Sequence, residues 1–350
     1  MKKSYPTAMN GGRERPLKAA LIGEKSERMV DAVYGEEARR RIEESFDLLP
    51  YTLTAEQLRA NPEIARGIDV LFGTWGFPVL DEREVAWFEN LKHIFYAAGS
   101  VRSFALPFLK AGVPISSSKL TNARVVADFC LGQILLSAKR FFQNVSQFRN
   151  FGPAVSPVDP RFCFDGYAGT KVGLIGCGRV SRRLIDLLRP RGFEILVVDP
   201  YLSLADCEAM GVAKAELGEV FATCDIVSNH LPNLPELEHC IGEAQFERMR
   251  QGATFLNTGR GAQVDEEGLV SILTRRSDIV ALLDVTDPEP PTDGSALYCL
   301  PNVWLSSHIA GCVGGEVKLL VEEAIASAER WLKGEPLENL EDLLLFEQMA

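Results

Sequence analysis

Basic charge is in short supply in this chain. Its 350 residues carry 37 Lys and Arg against 48 Asp and Glu, a formal net charge of -11. Binding to nucleic acid or to an anionic membrane depends on clustered cations, so neither is expected as a partner. No apolar run approaches the roughly 18 to 20 residues that span a bilayer. The N-terminal MKKSYPTAMNGG has two lysines but no apolar block behind them, so neither a membrane anchor nor a secretion signal is expected. Cysteine pairs are missing as well. The eight cysteines, at 130, 163, 177, 207, 224, 240, 299 and 312, form no CxxC and no zinc-like spacing. Reduced, mostly buried thiols, no metal site and a cytosolic location are the expectations. Histidine is rarer still, with only His93, His230, His239 and His308.

What is present is the composition of a folded protein, 46% hydrophobic and 24% charged, in a chain long enough for two domains. Residues 1 to 15, rich in glycine and charge, are expected to form a disordered tail. From Leu17 short aliphatic runs alternate with longer amphipathic segments, the pattern of a parallel sheet covered by helices. LKAALIG, IDVLFGTW, HIFYAAG and VPISSS read as strands, and GEEARRRIEESF, DEREVAWFENL and SVRSFALPFLKAG as helices. Asn122 opens one long, mostly buried helix, NARVVADFCLGQILLSAKRFFQNVSQF. The proline-rich NFGPAVSPVDPRFCFDGYAG after it reads as a loop, an arm able to embrace a neighbouring subunit.

A second series starts at Lys171. KVGLIG, FEILVVDP, CDIVSNHLP, ATFLNTGRG, DIVALLDVT and NVWLSSHIA are six strand-like runs, a complete dinucleotide-binding layout. The last helix, GGEVKLLVEEAIASAERWLKGEP, sets Val317, Leu320, Val321, Ala324, Ala328 and Trp331 on one face and is expected to pack back on the first unit.

GLIGCGRVSRR, Gly173 to Arg183, is a phosphate-binding turn in which Ser181 replaces the third glycine. Gly176 permits the tight turn and Gly178 the close approach of a pyrophosphate to the helix N-terminus. The third position has only to let helix and strand approach, so one hydroxymethyl group there is a small overpacking cost. Arg179 is placed to contact phosphate. Asp199 ends the next strand, where a carboxylate accepts from both ribose hydroxyls and repels a 2′-phosphate, which favours NAD over NADP. Taken alone, Asp199 also reads as a turn residue before Pro200.

Three further stretches end strands of this series: NTGRG with Arg260, DVTDPEP with Asp284 and Glu289, and SSHIAG with His308. Reducing a 2-oxo acid needs a cation for its carboxylate, a proton donor for its carbonyl oxygen and a hydride donor. Arg260 offers a bidentate fork. His308 is the natural acid, and Glu289 nearby would hold its tautomer and stabilise the imidazolium. Singly, each also reads as structural. His230 reads as lining the cofactor pocket beside Pro232, whereas His93 and His239, at strand or helix starts, read as structural.

Together VGLIGCGRVS, VVDP, NHLP, LNTGRGAQVDEEGL, LDVTDPEP and LPNVWLSSHIAG, in that order across residues 171 to 312, resemble the D-isomer-specific 2-hydroxyacid dehydrogenases. YAAGSVRSF and NARVVADF resemble, less sharply, that family's substrate loop and interdomain helix. The resemblance implies an NAD-dependent enzyme interconverting a 2-oxo acid and a D-2-hydroxy acid, with two doubly wound α/β domains. These are a flavodoxin-like substrate domain from residues 1–121 and 313–350 and a Rossmann domain over 122–312, through which two copies form a homodimer. It implies Arg260 as carboxylate binder, His308 with Glu289 as acid/base, and the backbone N–H groups of Gly99, Ser100 and Val101 as further donors to that carboxylate. The implied cofactor contacts are Gly176, Gly178, Arg179, Val180, Asp199, His230, Pro232, Thr258, Gly259 and Asp284, the last near the nicotinamide.

Three departures stand out: Ser181 for glycine, Gly259 for the commoner alanine, and VRSF for a VDN-like run. The last leaves Arg102 either reaching a second anionic group or facing solvent. A different class of function, an NAD(H)-responsive binding protein like the corepressors built on this fold, is the alternative. A relative acting on formate would lack the carboxylate partner of its histidine, and Glu289 is present.

Overall fold

The computed structural model describes residues 16–24, 27–152 and 169–346. The N-terminal tail and most of the proline-rich loop lie outside the described residues. The chain divides into two compact units, Met1–Asn122 with Cys312–Ala350, and Ala123–Gly311.

The first unit is built on strands β1 (Lys18–Ile22), β2 (Asp47–Leu48), β3 (Val70–Gly73), β4 (His93–Tyr96) and β5 (Ile115–Ser117), all parallel in the order β2-β1-β3-β4-β5. That is the flavodoxin-like order. Its inner strands are buried on both faces, which is why they read as unbroken apolar runs and not as alternations. The helix Val317–Leu332 packs with the helix Glu27–Glu43 and against β4 and β5, burying Leu320, Val321, Ala324, Ala328 and Trp331. Each large side chain on that face contributes on the order of 2 kcal/mol by leaving water. The chain then returns antiparallel along the edge of β5, where Glu341 N–H donates to the Ile115 carbonyl at 2.8 Å.

The second unit carries β6 (Lys171–Ile175), β7 (Glu194–Val198), β8 (Ala213–Lys214), β9 (Ile226–Asn229), β10 (Thr254–Asn257), β11 (Val280–Leu283) and β12 (Val303–Leu305). The order is β12-β11-β10-β9-β6-β7-β8, again all parallel. The chain runs outward from β6 to β8 and then returns to β9 on the other side. This is the Rossmann arrangement, with its switch point at the carboxyl ends of β6 and β9. The seventh strand, β8, is two exposed residues at the sheet edge, too short and too polar to leave a periodic trace.

The long helix expected from Asn122 is two helices, Lys119–Ala138 and Phe141–Phe151. Arg140 takes a left-handed conformation (φ 48°, ψ 36°) between them. The break turns the second helix onto the 251–252 turn, where Gln143 Nε2 donates to the Gly252 carbonyl at 3.1 Å. Two other helices are shorter than their sequence patterns, Glu82–Val85 and Ala105–Lys110. His239 is not at an element start but in an exposed turn with φ 53°. No helix among the described residues is long and apolar enough to cross a membrane.

Candidate active site

The turn after β6 explains its own sequence. Gly176 has φ 87°, and a Cβ there would stand 2.9 Å from the His230 carbonyl oxygen, so only glycine fits. At Gly178 a Cβ would meet nothing within 4 Å: the turn opens onto free space. The helix Arg179–Leu188 starts there with no side-chain cap, leaving first-turn N–H groups and the positive end of its dipole toward that opening. Ser181, which stands where a third glycine would, is fully buried and donates its hydroxyl to the Gly176 carbonyl at 2.6 Å. The substitution therefore braces the turn.

Asp199 does more than end β7. Its Oδ2 accepts from Cys177 N–H at 2.8 Å and its Oδ1 from Tyr201 N–H at 2.9 Å. Each oxygen keeps a lone pair for a ribose hydroxyl. An open, uncapped helix start beside a glycine turn, with a carboxylate one strand away, fits a dinucleotide without a 2′-phosphate. Gly176, Gly178, Arg179, Val180 and Asp199 would hold it. At the end of β9, His230 Nε2 lies 2.8 Å from Ser228 Oγ and its Nδ1 3.4 Å from Thr258 Oγ1. Burial pushes its pKa down to about 4, so the ring is neutral near pH 7 and suits packing against a cofactor better than proton transfer.

Arg260 follows β10. Its Nη1 donates to the Gly259 carbonyl at 2.7 Å, and no carboxylate among the described residues forms an ion pair with it. Burial pulls its pKa down, and the charge of Glu289 opposes that shift. A half-buried guanidinium without an ion-pair partner is a ready anion binder. Glu289 Oε1 lies 2.7 Å from His308 Nδ1, and both side chains are about half exposed, at 43% and 50%. An ionised carboxylate only accepts, so Nδ1 carries a proton and Nε2 is left to exchange one.

Asp284 clamps the turn that presents the imidazole. Its buried carboxylate accepts from Ser306 Oγ at 2.6 Å, Ile309 N–H at 2.8 Å and Ala310 N–H at 2.9 Å, while its carbonyl accepts from His308 N–H at 3.0 Å. His308 itself has φ 56°, a conformation that costs of order 1 kcal/mol for a non-glycine residue and persists only where the surroundings hold it. The resemblance implied that Asp284 lies near the nicotinamide and supports the site; its contacts in the structure are those of a brace for residue 308.

A second set of side chains went unnoticed in the sequence. Asn229, Asn257 and Gln263 are buried amides that link the ends of β9 and β10 to the Arg260 turn. The only available signal was an asparagine closing each of two apolar strands, IVSN and TFLN. Gly99, Ser100 and Val101 belong to the other unit, in the loop at the carboxyl end of β4. Val101 is buried there and its carbonyl starts the helix Ala105–Lys110. Arg102 follows, half-buried.

A Rossmann sheet with an open phosphate turn and a carboxylate on its second strand defines a dinucleotide-binding protein. Residues 131–310 match the family model for the NAD-binding domain of D-isomer specific 2-hydroxyacid dehydrogenases. The chain belongs to that family, and its second unit is an NAD-binding domain. YoaD of Bacillus subtilis (strain 168), provisionally named a 2-hydroxyacid dehydrogenase, is 29% identical over 326 residues, 90% of this chain and 93% of YoaD. The erythronate-4-phosphate dehydrogenase of Pseudomonas fluorescens is 32% identical over 210 residues, 58% of this chain but only 47% of that enzyme. Among solved structures, a phosphoglycerate oxidoreductase from Rhizobium etli shares the fold with a TM-score of 0.76 at 22% identity, over 93% of this chain and 98% of that one.

Proposed function

We propose that the protein is an NAD-dependent oxidoreductase that interconverts a 2-oxo acid and a D-2-hydroxy acid. The observation that carries this reading is the 2.7 Å contact between His308 Nδ1 and Glu289 Oε1, made close enough to Arg260 for the carboxylate's charge to act on the guanidinium. The cofactor, when bound, would supply hydride as NADH for reduction and accept it as NAD+ in oxidation. Arg260 holds the substrate carboxylate by its planar fork. His308 gives a proton from Nε2 to the carbonyl oxygen during reduction and removes it from the hydroxyl in the reverse direction. Glu289 keeps the proton on Nδ1 and stabilises the imidazolium, and Asp284 holds residue 308 where it can act. The residue 123–311 unit carries the cofactor chemistry, and the remaining unit is assigned to the substrate. The same reading makes the protein a cytosolic homodimer without nucleic-acid or membrane partners.

The test is NADH oxidation with glyoxylate, hydroxypyruvate and phenylpyruvate, which share the 2-oxo acid and differ in side chain. At least one is expected to turn over. His308→Ala is expected to lower kcat about 10²- to 10⁴-fold, the usual worth of a positioned acid, and Arg260→Lys to act mainly on KM through loss of the fork. No turnover with any of the three, together with NADH-dependent capture of a protein partner, would replace the enzyme reading with that of a binding protein.

A further inference from the structure

The peptide groups on both sides of the Arg260 Cα are held by side chains, beside one long backbone bond from Gln263 N–H to the Arg260 carbonyl at 3.4 Å. Gln263 Oε1 accepts from Arg260 N–H at 3.2 Å, and Asn257 Nδ2 donates to the Arg260 carbonyl at 3.2 Å. Gln263 is 2% exposed and its amide is fully used. Oε1 also accepts from Asn229 Nδ2 at 2.7 Å, and Nε2 donates to the carbonyls of Leu231 at 3.2 Å and Pro232 at 2.6 Å. One buried amide thus ties the backbone of Arg260 to the 229–232 segment, which includes His230 and Pro232. Asn229 completes the link, giving its second N–H to Asn257 Oδ1 at 3.0 Å and accepting from Leu231 N–H at 3.2 Å.

Gly259 belongs to the same device. A Cβ at that position would stand 2.8 Å from Asn229 Nδ2 and 2.9 Å from Gln263 Oε1. The residue before Arg260 must therefore lack a side chain as long as both amides are in place, which accounts for the departure from alanine there. Apolar side chains of similar volume would fill this space with no polar group to satisfy. What the amides add is fixed direction: four hydrogen bonds through Gln263 hold one loop against another.

We propose that Gln263 is the positioning residue for the Arg260 guanidinium, aligning it to the cofactor side of the site through the loop 229–232. The inference rests on the reading of Arg260 as the carboxylate binder. Oxalate is the probe, because it presents the carboxylate and oxygen of a 2-oxo acid without any side chain. Its affinity for the NADH-loaded protein is measured by nucleotide fluorescence in the wild type, Gln263→Met, Arg260→Lys and the double variant, alongside NADH affinity and the thermal midpoint. Gln263→Met is expected to weaken oxalate about tenfold or more, since displacements near 1 Å have effects of that size, and to weaken NADH less, through the release of the loop that carries His230 and Pro232. Arg260→Lys is expected to weaken oxalate strongly in the wild type and much less in the Gln263→Met background, because the two residues act as one.

Unchanged oxalate binding in Gln263→Met, or losses that simply add, would overturn the positioning role while leaving Arg260 as the binder. Oxalate binding that ignores Arg260→Lys, or is absent from the wild type, would overturn the site reading itself. Should Gln263→Met not fold, Gln263→Glu keeps the shape and the acceptor but loses the two donations to residues 231 and 232, and the same loss of oxalate affinity is required of it.

Discussion

Asp284 and Ser181 show how single side chains hold the chemistry in place. The Asp284 carboxylate satisfies two backbone N–H groups and one hydroxyl around His308. Replacing it with alanine orphans them in a buried site, at about 1–3 kcal/mol in stability. It also frees the imidazole, so Asp284→Ala is expected to lower kcat on the order of 10²-fold with less change in KM. Steady-state kinetics and urea unfolding of the same variant check both. Ser181→Ala deletes the bond to the Gly176 carbonyl and is expected to cost about 1 kcal/mol, measured as a lowered urea midpoint. Unchanged stability would mean that the hydroxyl merely fills space. Arg260, Glu289 and His308 could be singled out in the sequence because histidine is rare and all three are chemically apt residues in the loops after strands whose apolar runs are unmistakable. Asn229 and Gln263 were not, since an amide in a loop looks alike whether it is solvated or locks two backbones together.

At the scale of elements, β6, its glycine turn, the helix after it and the carboxylate that follows β7 are hydrogen-bonded into one unit, the one proposed to hold the cofactor. Asp199 accepts the Cys177 N–H inside the turn, so it shapes the phosphate loop in addition to its proposed role as acceptor from the ribose. Asp199→Ala is therefore expected to weaken NADH by about tenfold or more, as loss of a charged hydrogen-bond acceptor implies. The preference over NADPH should shrink at the same time, as read by titrating both nucleotides. A loss of NADH affinity with the preference intact would confine Asp199 to the turn. The strand and helix alternation of both units could be read because parallel strands buried on both faces are continuous apolar runs. The two-residue strands β2 and β8 could not, having no period. The break at Arg140 has neither glycine nor proline to announce it; it is set by docking against residues 251–252, a tertiary contact that local sequence does not contain.

Across the whole molecule, each unit holds one histidine that its surroundings keep neutral, His93 fully buried and His230 partly so. Burial pushes the pKa of His93 down to about 3 and that of His230 to about 4, against about 6.5 in the unfolded chain. The unfolded state then binds more protons below pH 6.5. The stability these groups allow is fully present above that pH and declines as pH falls through 6.5 toward the folded values. At pH 5 the loss is about 2 kcal/mol for each histidine. Urea midpoints for both units are expected to fall between pH 7.5 and pH 5, and flat midpoints would show that the rings are not kept neutral. The second unit carries the decisive arrangement: a guanidinium after β10 and a carboxylate-backed imidazole after β12, at the same end of an NAD-binding sheet with β11 between them. Its most direct test is a crystal structure of the protein with NADH and oxalate. The account predicts one oxalate carboxylate on the Arg260 fork and an oxygen of the other within hydrogen-bond distance of His308 Nε2. Oxalate bound elsewhere, or an imidazole turned away from it, would contradict the account.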